Sequence, residues 1–284
     1  MSQFNIHFFK EKSRKIDIED LIQFFEKIEG MDIEMDDQSV RFLYTHPRLN
    51  LKAAFFITPK SHVPDIYRLN PKYLDLNFRM DMPILSPDYM AKHMFDLVKR
   101  VCDTYGFAVY NEMLEDVLPF KMEIVFKVFS MIKEAYVSKN PVLLSDYKHV
   151  PHDQLFAIYR YLDDAFELQK YYQELNTYVP KYHFLVENGE RLVMAIEWKE
   201  QTLTVFPPFL NYILYRQTET VKVVSTKELY PLIEKYLQDV PGFIRGTKVI
   251  PKKTAKKVYR IMKKTRFTQY NHAYQKIDVR KLID

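Results

Sequence analysis

Between Leu74 and Met82, apolar and polar residues alternate without a break. Leu74, Leu76, Phe78, Met80 and Met82 point one way; Asp75, Asn77, Arg79 and Asp81 point the other. Successive side chains of a strand face opposite sides, so this period of two commits the segment to a half-buried β-strand. One such strand is not stable by itself. It requires neighbours in a sheet and a layer over its apolar side.

The flanking sequence supplies both. Strands are predicted at Phe4–Phe9, Asp32–Met35, Val40–Thr45, Leu51–Thr58 and Phe107–Tyr110, and 59–72, with three prolines, is predicted as a loop. Leu21, Ile22, Phe24, Phe25 and Ile28 recur at helical spacing over Ile18–Ile28, with Asp17 as N-cap and Gly30 as stop. A second helix opens at Ser86-Pro87-Asp88 and ends before Gly106. Two helical stretches follow at about Phe120–Val137 and Asp153–Tyr172. A second set of strands comes next: Tyr182–Val186, Leu192–Trp198, Leu203–Phe206, Tyr212–Tyr215 and Val221–Val224. A last body helix is expected over Tyr230–Gln238. Ser225 and Glu228 upstream have capping-box spacing, and Pro231 disturbs that frame.

The fold class is therefore α+β: two units with mainly antiparallel sheets, helices on one face, and a helical middle segment. The expected divisions are an N-terminal domain over 1–139, a second over 140–250 and a basic extension over 251–284. Forty-two aromatics of the Phe and Tyr type among 284 residues are ample material for two cores.

Charge is the one feature that points outward. Arg245–Asp284 holds thirteen Lys or Arg against two acids, a local +11 in a chain whose net charge is only +5. Between Thr254 and Arg266, Ala255, Val258, Tyr259 and Met262 form one apolar stripe, with Thr254 as the expected N-cap. Lysines and arginines cover the opposite arc. Lys252, Lys253, Lys256, Lys257, Arg260, Lys263, Lys264 and Arg266 are thus the candidate contacts to an anionic partner, nucleic acid first and an acidic protein surface second. The same helix could instead pack its stripe on the body and leave its lysines in water. Phe267 to Tyr274 interleaves aromatic and polar residues, which suits base stacking and a C-terminal strand equally. Residues 16–37 carry nine acids and one base, a −8 segment that could pair with the tail.

Catalytic signals are weak. The closest glycines, Gly242 and Gly246, build neither a P-loop nor a dinucleotide fingerprint, and no Gly-x-Ser-x-Gly occurs. Cys102 is the only cysteine, so no intrachain disulfide forms; it reads as a buried structural thiol. Asp146, His149, His152 and Asp153 make the one tight His/Asp cluster, of which His149, His152 and Asp153 are the candidate zinc ligands, unless His152 or Asp153 caps the next helix. Glu187, Glu197 and Lys199 are similar to the carboxylate–x–lysine core of PD-(D/E)xK nucleases, which implies a metal-dependent hydrolase. Here Val186 stands where that pattern has proline. The reading adopted is a cytoplasmic, non-enzymatic binding protein without cofactor. No signal peptide or transmembrane segment is expected, since the most apolar helix stretch contains five charges.

Overall fold

The computed structural model describes residues 2–142, 145–270 and 272–284. The chain divides into two compact units, Met1–Asp146 and Tyr147–Asp284. Both are α+β, with mainly antiparallel sheets.

The first unit runs β1 (Gln3–Glu11), α1 (Ile18–Glu26), β2 (Met31–Met35), β3 (Val40–Thr45), β4 (Lys52–Ile57), β5 (Tyr73–Pro83), α2 (Asp88–Tyr105), β6 (Ala108–Tyr110), β7 (Leu118–Pro119) and α3 (Met122–Lys139). One seven-stranded sheet has the order β2-β3-β4-β5-β1-β6-β7. Asp17 caps α1 as expected, accepting from the Glu19 N–H at 2.9 Å. Leu21 and Phe25 then face the sheet. Phenylalanines make this core. Phe8 stacks on Phe78 at 4.4 Å, Phe25 meets Phe42 at 4.4 Å and Phe55 at 4.8 Å, and Phe4 meets Phe129 edge-on at 5.2 Å.

The unbroken alternation of β5 is interrupted. Its register against β1 runs from Phe8↔Phe78 directly to Phe9↔Asp75, a bulge in which Asn77 adopts φ 51°. Asn is among the few residues that enter this left-handed region readily. Phe78, Met80 and Met82 remain fully buried, whereas Leu74, expected on the same face, is about half exposed. Phe9 is buried in a small separate cluster with Val63, Ala108, Tyr110 and Val117.

The second unit runs β8 (Lys148–His149), α4 (His152–Gln173), β9 (Thr177–Tyr178), β10 (Tyr182–Glu187), β11 (Arg191–Lys199), β12 (Leu203–Phe206), β13 (Tyr212–Arg216), β14 (Val221–Ser225), α5 (Thr226–Ile233), β15 (Gln238–Asp239), β16 (Lys248–Val249), α6 (Lys252–Lys264), β17 (Tyr274–Lys276) and β18 (Leu282–Ile283). Its main sheet is β14-β13-β11-β10-β17; a smaller one is β15-β16-β12-β9, and β18 pairs with β8. Both edges of the main sheet matter for the site: β14 closes one side and the tail strand β17 the other.

Tyrosine takes the part here that phenylalanine has in the first unit. Tyr159, Tyr161 and Tyr182 are buried, and each hydroxyl donates to a main-chain carbonyl, of Val279 (3.0 Å), Pro180 (2.8 Å) and Pro208 (2.6 Å). A buried hydroxyl must find an acceptor, so each ring also fixes a loop.

α5 begins earlier than expected. Ser225 does cap it, accepting from the Lys227 N–H at 3.3 Å. Pro231 lies inside the helix, which stops two residues later at Ile233 and passes into a 3₁₀ turn. A proline there removes one donor and crowds the preceding turn, so the helix ends early instead of starting late.

Candidate anion-binding groove

α6 packs Ala255, Val258 and Met262 inward, the stripe read from its spacing. The helix begins two residues before the expected N-cap. Pro251 holds that position, where a missing N–H costs nothing. The Thr254 hydroxyl instead donates to the Tyr236 carbonyl at 2.7 Å and tethers α6 to the 3₁₀ turn. Lys263 and Lys264 in the last turn complement the carbonyl end of the helix.

All eight basic residues singled out in the tail are exposed. Among the described residues of their own unit, none of them reaches a carboxylate at ion-pair distance. Lys257 lies 5.7 Å above the Tyr236 ring. Beyond α6 the chain runs extended past β14, and the space between encloses a groove of about 710 Å³. Its walls are Tyr215 and Val221–Val224 on one side and Met262–Tyr270 on the other. Among the described residues, four cations line it, Lys222, Lys263, Lys264 and Arg266, and no acid does. Phe267 and Tyr270 add half-buried aromatic surface. Of the eight tail cations, the groove gathers three; the other five lie along α6. Lys222 is the residue that sequence reading missed. It belongs to a short strand forty residues upstream, and no local pattern ties it to the tail.

Glu228, outside the lining, fixes one wall. In a capping box it would turn back to its own helix terminus. Here its carboxylate accepts from the Thr268 N–H at 3.1 Å and the Tyr270 hydroxyl at 2.8 Å. The Thr268 N–H and the Tyr270 hydroxyl hold this carboxyl below its usual range.

Past the groove the tail becomes a sheet strand. β17 pairs with β10, placing Tyr274 opposite Glu187. Glu187 is buried and accepts from the Tyr212 hydroxyl at 2.9 Å. His272 Nδ1 lies 2.9 Å from the same oxygen, and Arg191 lies 3.4 Å from the other. Burial, with Glu187 beside it, pushes the Tyr212 hydroxyl well above its usual range.

The residues resembling a nuclease core are not brought together. Glu187 pairs with Arg191 at one end of the β10–β11 hairpin. Glu197 lies six residues further along β11, roughly 20 Å away at 3.3 Å per residue. Glu197 is committed to a two-pronged pair with Arg216, at 2.8 and 2.9 Å, which holds its carboxyl below the usual range. Lys199 is exposed beyond it. Likewise, His149, His152 and Asp153 do not converge three ligand atoms among the described residues. His149 sits in β8, and His152 opens α4 with its Nδ1 3.5 Å from Asp284. Neither His152 nor Asp153 caps α4, whose N-cap is Pro151. Cys102 is buried, and burial pushes its thiol up to about 12, leaving it inert at neutral pH.

No helix among the described residues is long and apolar enough to cross a membrane. The chain matches no protein-family model, no curated protein and no solved structure.

Proposed function

We propose that this is a non-enzymatic binding protein, cytoplasmic, whose second unit holds an extended anionic strand, single-stranded nucleic acid, in the groove between β14 and the end of α6. The observation that carries the reading is a lining that, among the described residues, has four cations and no acid. Aromatic surface beside a basic track is what sequence-tolerant strand binding uses, since every base has a face to stack. The remaining tail cations, Lys252, Lys253, Lys256, Lys257 and Arg260, extend the positive track along α6.

The test is a titration of a fluorescent deoxythymidine oligomer at several salt concentrations. Four neutralised phosphates on a single strand correspond to a slope of about −3 in log K against log salt. Replacing Lys222, Lys263, Lys264 and Arg266 together with alanine is expected to weaken binding at least about tenfold and flatten that slope. Binding that ignores salt, or that survives the fourfold substitution unchanged, overturns the reading.

The open edge of β14 favours a second reading. An edge strand can accept a polypeptide strand by main-chain hydrogen bonds. A peptide of residues 16–37, the chain's own −8 segment, is the matched competitor. If it displaces the oligomer at equal or lower concentration, the partner is an acidic polypeptide.

A further inference from the structure

The groove wall from Arg266 to Tyr270 hangs on one acid. These residues belong to no helix or strand. Among the described residues, their main chain makes one hydrogen bond, from the Thr268 N–H to Glu228 Oε2 at 3.1 Å. The Tyr270 hydroxyl donates to Glu228 Oε1 at 2.8 Å, so a single carboxylate grips the wall twice. The Tyr270 ring also packs 5.3 Å from Tyr212 and 5.8 Å from His272. The next main-chain ties lie outside this stretch. On one side the Thr265 N–H donates to the Ile261 carbonyl at 2.9 Å; on the other the Asn188 N–H donates to the Ala273 carbonyl at 2.9 Å. Glu228 itself stands on α5, which is anchored by buried Leu229 and Ile233.

An acid beside a site for anions works against it by charge, since like charges repel. Glu228 does not neutralise the groove's lysines in return. The Thr268 N–H and the Tyr270 hydroxyl hold its carboxyl low, and no cation contributes. Its negative charge is therefore taken up by N–H and O–H donors of the wall, which leaves the four cations to a ligand. The wall needs such a hold. A stretch without other main-chain ties would have to be ordered when a ligand arrives, and that ordering subtracts from affinity. We infer that Glu228 is a positioning residue for the groove, an acid that promotes anion binding by holding residues 266–270 in place opposite β14. This rests on the groove being the binding site proposed above. The sign of the effect separates positioning from electrostatics. By charge alone, removing Glu228 strengthens the binding of an anion; by positioning, removing it weakens binding.

The test sets Glu228→Ala against Glu228→Gln in the full chain, with the deoxythymidine oligomer as probe. Both substitutions remove the same charge. Glutamine keeps the tether, because its carbonyl accepts from the Thr268 N–H and its amide donates to the Tyr270 oxygen. Alanine keeps neither contact. Glu228→Ala is expected to weaken binding about tenfold, and Glu228→Gln to bind at least as tightly as the parent. Tyr270→Phe removes one grip and no charge, and should weaken binding about threefold. Hydrogen exchange in the unliganded chain reads the wall directly. The Thr268 amide should exchange at least about tenfold faster in Glu228→Ala than in the parent or in Glu228→Gln. Cooperative melting of all three variants separates a displaced wall from a lost fold. If Glu228→Ala binds as tightly as the parent or more tightly, or if Glu228→Gln is weakened as much as Glu228→Ala, the positioning role is overturned and the groove stands. A parent that binds no oligomer at any salt concentration overturns the groove itself, and this role with it.

Discussion

His7 shows how a single buried residue couples the fold to pH. Its imidazole is driven from an ordinary 6.5 to about 4, chiefly by burial. The folded state therefore binds fewer protons than the unfolded chain between these values. The sign follows: this contribution is complete above about pH 6.5, falls as pH drops, and is gone below about 4. Its size is about 3 kcal/mol. Urea melts at pH 7.5 and 4.5 should show the loss, and His7→Phe should remove much of the difference; an unchanged pH dependence in that variant would assign the acid sensitivity elsewhere. Glu228 makes a different point at the same scale. Its capping-box spacing was visible, but its carboxylate serves the tail, because Thr268 and Tyr270 arrive beside it only in the folded unit.

Among the elements, α6 was the most legible and β5 the most deceptive. The stripe Ala255, Val258, Met262 could be read from spacing because a helix repeats every 3.6 residues whatever surrounds it. Met262 is both a core residue and part of the groove wall. Met262→Ala should lower stability by about 2–3 kcal/mol in urea melts. It should also weaken oligomer binding, since it loosens the end of the helix that carries Lys263 and Lys264; unaltered affinity would mean that the groove does not depend on that packing. β5 reads as one straight strand, and its alternation holds from Phe78 to Met82. Below that, the bulge at Asn77 sets two extra residues of β5 against β1, and Leu74 beyond it is about half exposed. Nothing in the residue types of Leu74–Asn77 announces it. The break is set by pairing with β1, so it is a property of two strands.

At the scale of the molecule, the chain partitions its aromatic material. The largest fully buried side chains of the first unit are phenylalanines, whereas those of the second are Trp198, Tyr159 and Tyr161. Charge is partitioned as well, with the +11 of residues 245–284 lying wholly in the second unit and the −8 of residues 16–37 in the first. Part of the acidic segment is spent locally: Asp17 caps α1, and Arg41 lies 3.7 Å from Glu34 and 3.8 Å from Asp36. These exposed pairs add little stability. All groove residues belong to 147–284, so that fragment should melt cooperatively and bind the oligomer within a factor of about 3 of the full chain, less than 1 kcal/mol. A fragment that folds but does not bind would place essential contacts in the first unit.

Local order was encoded in the amino-acid sequence alone: the α+β class, most strands and helices, the amphipathic basic helix and the two charged segments. Each of these depends on spacing within one element, or on composition. The tertiary structure alone decided what those elements bring together. It placed Lys222 beside Lys263, Lys264 and Arg266, set Glu187 and Glu197 at opposite ends of one hairpin, and put Asn5, His7, Arg79 and Asp81 together on one sheet face. The physical reason is register. A period of two or 3.6 says which side of an element is buried, but not which residue of a distant strand will lie across from it. That is settled only when whole faces pack and the backbone hydrogen bonds between strands close.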